Sequence, residues 1–593
     1  MAWRRPIGPR SRVRSTSGRL EAHSRQARSV HSVVDEDQSS GKSQEAIEDE
    51  DDVSASQTLA RTSLAQFFQR GVPSAHWEVF HTLDRMRTAY IGTHVANLSH
   101  LINLDQSSRH FLLYPHPEIH PSPPSLPPAL DPSGHGQGQG QGLSSKLRGI
   151  AAFLSKEIRD DLVESFFSKI NPIFPVVDEA QFRSRYHESQ APPPLLLLQA
   201  ILMAGAHVSQ HKKVAESRSM IKSLLFRQGK WLFDTRHEND RQHLVQAALL
   251  FTWHVENADT VSMNGHFWSG VACRIAFGMA MHRNILSDPP ERMPFANRRL
   301  YRRVWWTLFQ VEVLSALEHG RPSMIRLEDF DQPLLELQDF QEADGVVNSR
   351  LNFQYSVKNI ELCFIVLDIL KLTSPGFVRP DTPIGLDSFH SRLAAWAMDL
   401  PRDADCEFWS LHLQLHYHCV VLHLFRLPNG QCASPLTPLP LDWVELCNGA
   451  GRAILAIFET MMATKVMDRC SSTSVMALTA SAIQLSKEIQ HSLRQRSTLV
   501  ALNLIRDLER LFPIATALSE SWPNAEGVLR LFSHLVENFK ALVETQHHSP
   551  PRRESFNIDA LQDLNWEEIL RYPSPYQLDE ADIWLDSWTN PET

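Results

Sequence analysis

No cysteine precedes Cys273 in this 593-residue sequence. The seven cysteines, Cys273, Cys363, Cys406, Cys419, Cys432, Cys447 and Cys470, form no C-x-x-C pair. An odd, scattered set excludes a small disulfide scaffold and suits a reducing compartment. Long apolar runs are also lacking. The longest lies in PLLLLQAILMAGAHV, residues 194–208, where Gln199 interrupts it. It falls short of the roughly 20 residues that cross a bilayer, so no transmembrane helix and no membrane partner are expected. Positive charge is not in excess: the formal net charge is -10. That excludes a chain coated in nucleic acid and leaves only local basic patches. The sequence contains no G-x-S-x-G, no H-E-x-x-H and no G-x-x-x-x-G-K-[ST], and no glycine fingerprint follows a strand. Nothing singles out a catalytic site, so no enzymatic activity is assigned. Alternating apolar and polar strands are lacking as well.

The first 28 residues hold eight arginines and one acid, Glu21. Arg4, Arg5, Arg10, Arg12, Arg14 and Arg19 form the basic arm. Two readings compete for it: nuclear import with phosphate contacts, and a mitochondrial presequence. Pro6 and Pro9 interrupt any helix there, which favours the first and a nuclear location. Residues 29–60 turn acidic. The two charged blocks cannot bury a core, so residues 1–60 read as a disordered basic-then-acidic arm. Residues 61–113 read as a short helical segment. The Pro-, Gly- and Gln-rich stretch at 114–148 is a linker. Its His116, His120 and His135 read as solvated side chains.

Residues 149–548 carry helical period almost throughout. Leu162, Phe166 and Ile170 lie four apart, and Pro172 follows as a stop. Asp178 and Gln181 have capping-box spacing. Trp268, Val271, Ile275 and Met279 form an apolar stripe. Further helices are expected at 356–372, 385–399, 408–426, 442–462, 473–494, 497–518 and 525–545. The fold class is therefore all-α: a large multi-helical domain flanked by a disordered arm and tail. In LHLQLHYHCVVLHLFRLP, His412 and His416 share a helix face, as do Cys419 and His423. Zinc ligation would need all four on one side, yet His412 and Cys419 sit nearly opposite at 100° per residue. Hydrogen-bonded core histidines are the better reading, and no metal or cofactor is assigned to this chain.

The stretch NRRLYRRVWWTLFQVEVLSALEHGRP, 297–322, opens with four arginines that span about 140° of a helical wheel. Leu300, Tyr301, Val304 and Leu308 occupy the opposite arc. Past Trp305 the helix turns apolar all round, as a buried helix does. It is expected to begin at the surface with a guanidinium face and to run into the core, with Arg302 placed for a cation–π contact to Trp306. Gly320 and Pro322 are stop signals.

The last 45 residues, 549–593, change character again. Residues 557–590 hold eight acids, one arginine and the tryptophans Trp566, Trp584 and Trp588. Acids that keep aromatics solvated leave them free to dock in a partner groove, so this tail is a candidate activation segment for a coactivator or the transcription machinery. A tail folded back on the domain is the competing reading.

Five ordered segments resemble the middle homology region of fungal-specific transcription factors. They are FFSKINPIFPVVDEAQF, LLLLQAILMAGAHVS, LVQAALLFTWH, FWSGVACRIAFGMAMHRN and RRLYRRVWWTLFQVEVLSALEHGRPSMIRLEDFDQPL, over about 160–335. YIGTHVANLSHLI, 90–102, adds a narrower similarity to cutinase-type transcription factors. The resemblance implies structural roles for Phe174, Pro175, Phe182, His282, Arg283, Arg302, Arg303, Trp305, Trp306, Gly320, Arg321 and Pro322. It implies a nuclear regulator of RNA polymerase II genes and leaves a small-molecule effector and a homodimer open. It also implies an N-terminal zinc binuclear cluster of six cysteines, which these residues cannot form, so zinc belongs only to an upstream cysteine cluster. Either an upstream segment is missing or the protein regulates without that DNA reader, as a non-DNA-binding partner of another factor. DNA contact by this chain would then rest on the arginine arm, without base readout. A mitochondrial enzyme or sensor is the remaining alternative.

Overall fold

Helix-starting residues punctuate the chain as their chemistry dictates. Ser155, Asp178, Asp240 and Asn264 each stand at an N-cap and accept a hydrogen bond from a backbone N–H of the first turn, which satisfies donors that the helix leaves open. The computed structural model describes residues 86–90, 111–115, 154–188, 192–255, 264–284, 295–372, 374, 386–400, 408–426 and 441–548. All of them fall within one unit, residues 53–593. The basic-acidic arm, the linker beyond Pro115 and the acidic-aromatic tail lie outside the described residues.

Within 61–113 the described residues are extended. β1 (Met86–Tyr90) pairs antiparallel with β2 (Phe111–Pro115), Met86 opposite Pro115 and Tyr90 opposite Phe111. The helical segment expected there is not what these residues form. Thr88, Tyr90, Phe111 and Tyr114 are strand-favouring types.

From 154 onward the described residues are all-α. α1 (Lys156–Ser165) widens into a π-helical turn, Phe166–Ile170, and ends there, two residues before Pro172. α2 (Glu179–His187), α3 (Leu195–Val208), α4 (Lys212–Glu216), α5 (Arg218–Asp234), α6 (Arg241–Phe251) and α7 (Gly265–Gly278) follow. α3 is buried on nearly every side and is wrapped by α1, α5 and α6. Gly205 makes this possible: a Cβ there would stand 2.0 Å from the Leu162 carbonyl oxygen.

α8 (Phe295–His319) packs on α7, α9 (Phe353–Leu372) and α13 (Ser472–Arg494), and so joins the two halves of the domain. α10 (Leu386–Met398), α11 (Phe408–Phe425), α12 (Leu441–Ala463), α14 (Thr498–Glu509), α15 (Leu511–Ser519) and α16 (Asn524–His548) build the second half.

Two details depart from the periodicity. Residues 497–518 form two helices broken at Arg510. Pro513 has no N–H to give the carbonyl of residue 509, so the ladder is interrupted at that turn. In α7 the deep face is Trp268, Ala272, Cys273 and Ala276, with Val271, Ile275 and Met279 only partly buried. This face packs against α6 and α8.

Candidate functional site

The basic end of α8 is interior. Arg298 and Arg302 are 1% exposed and Arg303 is 0% exposed, which corrects the expected surface guanidinium face. The cause is a strap, residues 320–348, that returns across this end of the helix. Arg302 donates to Asp339 Oδ1 at 2.7 Å and to the Leu334 carbonyl. Arg299 donates to the carbonyls of Gln341, at 3.2 Å, and Glu342. Arg303 lies 3.8 Å from Glu342 Oε1. Burial pushes the Asp339 and Glu342 carboxyls up from the usual range and the Arg303 guanidinium down. The two carboxylates are held against that cost by donors, whereas the Arg303 nitrogens have no hydrogen-bond partner and are met only by the Glu342 charge. Asp339 accepts from Glu336 N, and Glu342 from Ala180 N and Asn348 Nδ2.

Asp178 ties the same knot from the other side. One oxygen caps α2 through Gln181 N, and the other accepts from Ala343 N, both at 2.9 Å. Of the capping box read from the sequence, the Asp178 half is present, and its second oxygen adds the strap contact. Trp306 Nε1 donates to the Pro333 carbonyl at 2.8 Å. The expected Arg302–Trp306 cation–π contact is not among the described cation–π pairs, because Arg302 is turned to Asp339.

The remaining family-motif residues sit around this knot. Trp305 is enclosed by Phe277, His282 and Phe330. Phe174 meets Trp253 edge-on, Pro175 is buried beside it, and Phe182 packs on Phe167 and Tyr186. Arg283 makes a two-pronged, exposed pair with Asp331 at 3.0 Å. Gly320 has φ +60, and Arg321 N reaches back to the Ala316 carbonyl at 3.1 Å. That left-handed residue is the C-cap that glycine supplies best, and Pro322 follows it exposed.

A polar seam crosses the second half. Gln310 Nε2 donates to the Trp306 carbonyl, and Gln310 Oε1 accepts from Asn359 Nδ2 at 2.7 Å. Asn359 Oδ1 therefore faces His416 Nδ1 as an acceptor, at 3.0 Å. His416 Nε2 contacts Thr473 Oγ1, Thr473 contacts Ser471, and Ser471 contacts His412 Nε2. His412 Nδ1 meets the Tyr355 hydroxyl at 3.0 Å. Every group can be satisfied if protons run one way along this chain. His416 then carries its proton on Nδ1 and His412 on Nε2, both neutral. Burial pushes His412 down to about 4 and His416 well below the usual imidazole range. The core-histidine reading of 411–428 holds for these two.

A third cluster carries buried cations. Lys222 donates to His207 Nδ1 at 2.7 Å and to the Ser521 carbonyl at 3.0 Å, with its ammonium over the Trp522 ring. Arg218 donates to the carbonyls of His207 and Ser209. Burial first, and the neighbouring Arg218 second, push Lys222 down to about 7. His254 lies on Phe226, and neither ring nitrogen has a hydrogen-bond partner. Gln199, beside Gly229 and Phe251, has an amide unpartnered at both ends. Sequence reading missed this cluster. Its signal was available: Arg218, Lys222 and Gly229 fall on the same helix face as Leu225 and Phe226.

The described cysteines, Cys273, Cys363, Cys419, Cys447 and Cys470, are buried and unlinked. Among the described residues no group of three or more His, Cys, Asp or Glu is arranged to hold a metal ion. No described helix is long and apolar enough to cross a membrane.

Residues 163–399 match the Fungal specific transcription factor domain. Over those residues the chain is similar to that domain. The match takes in α2 to α10 and the strap, so the Arg–Asp knot lies wholly inside it. The acetamidase regulatory protein of Aspergillus fumigatus is 35% identical over 382 residues, 63% of this chain and 48% of that protein. That of Aspergillus oryzae is 35% identical over 384 residues, with the same coverage. Cutinase transcription factor 1 alpha of Fusarium vanettenii is 28% identical over 428 residues, 68% of this chain and 46% of that protein. The chain spans about half the length of these curated relatives. The resemblance read from the five ordered segments is thus shown, and the cutinase-type similarity is found beside a higher identity to acetamidase regulators.

Proposed function

We propose that this protein regulates transcription of RNA polymerase II genes in the nucleus. The helical domain is the regulatory part, the tail around Trp566, Trp584 and Trp588 is the activating part, and the protein is not an enzyme. The observation that carries the reading is the domain match at 163–399, together with relatives whose names are those of regulators and transcription factors. The geometry supports it. The residues of the matched segment that looked fit to grip phosphate are spent on the interior.

The tail's partner is a coactivator or the transcription machinery, engaged through aromatics that its acids keep in water. A small-molecule effector of the domain remains part of the proposal, as does a homodimer. Fusing residues 549–593 to a heterologous DNA-binding domain tests the activating part. Reporter transcription that disappears when Trp566, Trp584 and Trp588 become alanine is expected, and a silent fusion removes the activation claim.

A second reading stands beside it. On that reading the chain works as a regulatory partner of a DNA-binding factor. Affinity capture from nuclei separates the two, because this reading requires a co-purifying factor that is itself bound to promoter DNA.

A further inference from the structure

The first turns of α14 present apolar side chains to solvent. Leu499 is 79% exposed, Val500 51% and Leu502 40%, while Ala501, Leu504, Ile505 and Leu508 fill the inner face. Three arginines rim this patch: Arg494 and Arg496 just before the helix, and Arg506 four residues beyond Leu502 on the same stripe. All three are exposed, and none has a carboxylate partner among the described residues. The acids nearest in sequence are already engaged, Asp507 with Arg510 and Glu509 with Lys540.

We propose that the chain's own acidic-aromatic tail, residues 557–590, docks on this basic-rimmed apolar patch of α14. Where the described chain ends is the first argument. α16 begins beside the end of α15 after a tight turn at 520–523, and its Lys540 pairs with Glu509 at 2.6 Å, so α16 runs back antiparallel along α14. From Lys540 to His548 is a rise of roughly 12 Å at 1.5 Å per residue, and the same rise back from Glu509 reaches Ala501. The chain therefore leaves the domain beside Leu499, Val500 and Leu502. The segment from His548 to Ile558 spans up to about 30 Å extended, more than the docking requires.

Complementarity is the second argument. The tail offers eight acids against one arginine, interleaved with Ile558, Leu561, Leu564 and three tryptophans. That is the inverse of a patch made of three unpaired arginines around leucine and valine. A tether this short also holds the tail at an effective concentration on the order of millimolar, above what a second copy reaches in solution. A docked tail withholds its tryptophans from any other partner. The docking follows from charge and chain path alone and stands whether or not the tail activates transcription.

The test is photo-crosslinking in the full chain with p-benzoylphenylalanine in place of Leu499, using a mixture of isotopically light and heavy protein. The expected product joins position 499 to a peptide from 557–590 of the same chain. The triple variant Arg494→Glu, Arg496→Glu, Arg506→Glu should lower that yield by about tenfold, since like charges then face each other. Its helical circular dichroism should be unchanged. Raising salt to about 1 M should lower the yield of the parent chain as well. Crosslinks to a second copy, crosslinks only to other segments, absence of a crosslink, or a yield indifferent to charge reversal would each overturn the proposal.

Discussion

Arg302 shows how a charged side chain can be more deeply committed to the fold than many leucines. Its guanidinium is enclosed, and Asp339 depends on it as much as it depends on Asp339. Removing one partner leaves the other buried and unpaired, so Arg302→Ala should cost roughly 3–5 kcal/mol in urea unfolding. Replacing both with leucine should recover much of that loss. Trp305→Ala should cost a similar ~3–5 kcal/mol, through the cavity left among Phe277, His282 and Phe330. The sequence made the tryptophans legible as core and left the arginines misread. Their wheel positions do form a separate arc, and charge on such an arc normally means solvent. What covers that arc comes from Asp339 and Glu342, some 37 to 39 residues downstream of their partners (302 to 339, 303 to 342). They sit in a strap without helical or strand period, so no local signal announced them.

At the scale of elements, helix positions were readable because caps, apolar period and prolines agree. Their mutual packing was readable only in part. The polar seam through α8, α9, α11 and α13 joins residues from four helices, and only His412 and His416 stood out in advance. That seam sets a pH dependence. Both imidazoles have folded-state values depressed below the ordinary 6.5. Between about 4 and 6.5 the unfolded chain binds protons that the folded chain refuses, so stability falls as pH falls through that window and is fully present above it. The melting temperature should therefore drop between pH 7 and pH 5. His412→Gln with His416→Gln should reduce the slope while lowering stability at pH 7. A melting temperature flat across that range would contradict the seam. Nitrogen NMR of the imidazoles should find the proton on Nδ1 of His416 and Nε2 of His412.

For the whole molecule, positive charge falls in three places: the interior of α8, the exposed rim of α14 and the arm. Arg299, Arg302 and Arg303 of α8 hold the strap to the domain, the last two from the interior. The arginines of the arm, Arg4 to Arg19, are where the sequence keeps its concentrated basic charge, in residues the structure does not describe. The domain match and the regulator relatives make DNA contact an obvious question, and for α8 the geometry answers: Arg298, Arg302 and Arg303 are buried and Arg299 is half-buried on strap carbonyls. The decisive measurement is a gel-shift titration of the full chain on duplex DNA at about 150 mM salt, a range in which non-specific phosphate binding is already weak. It is repeated with Arg4, Arg5, Arg10, Arg12, Arg14 and Arg19 changed to alanine. The account predicts that any shift seen with the parent chain is lost in that variant. A variant that still shifts DNA, with its helical domain folded, would contradict it.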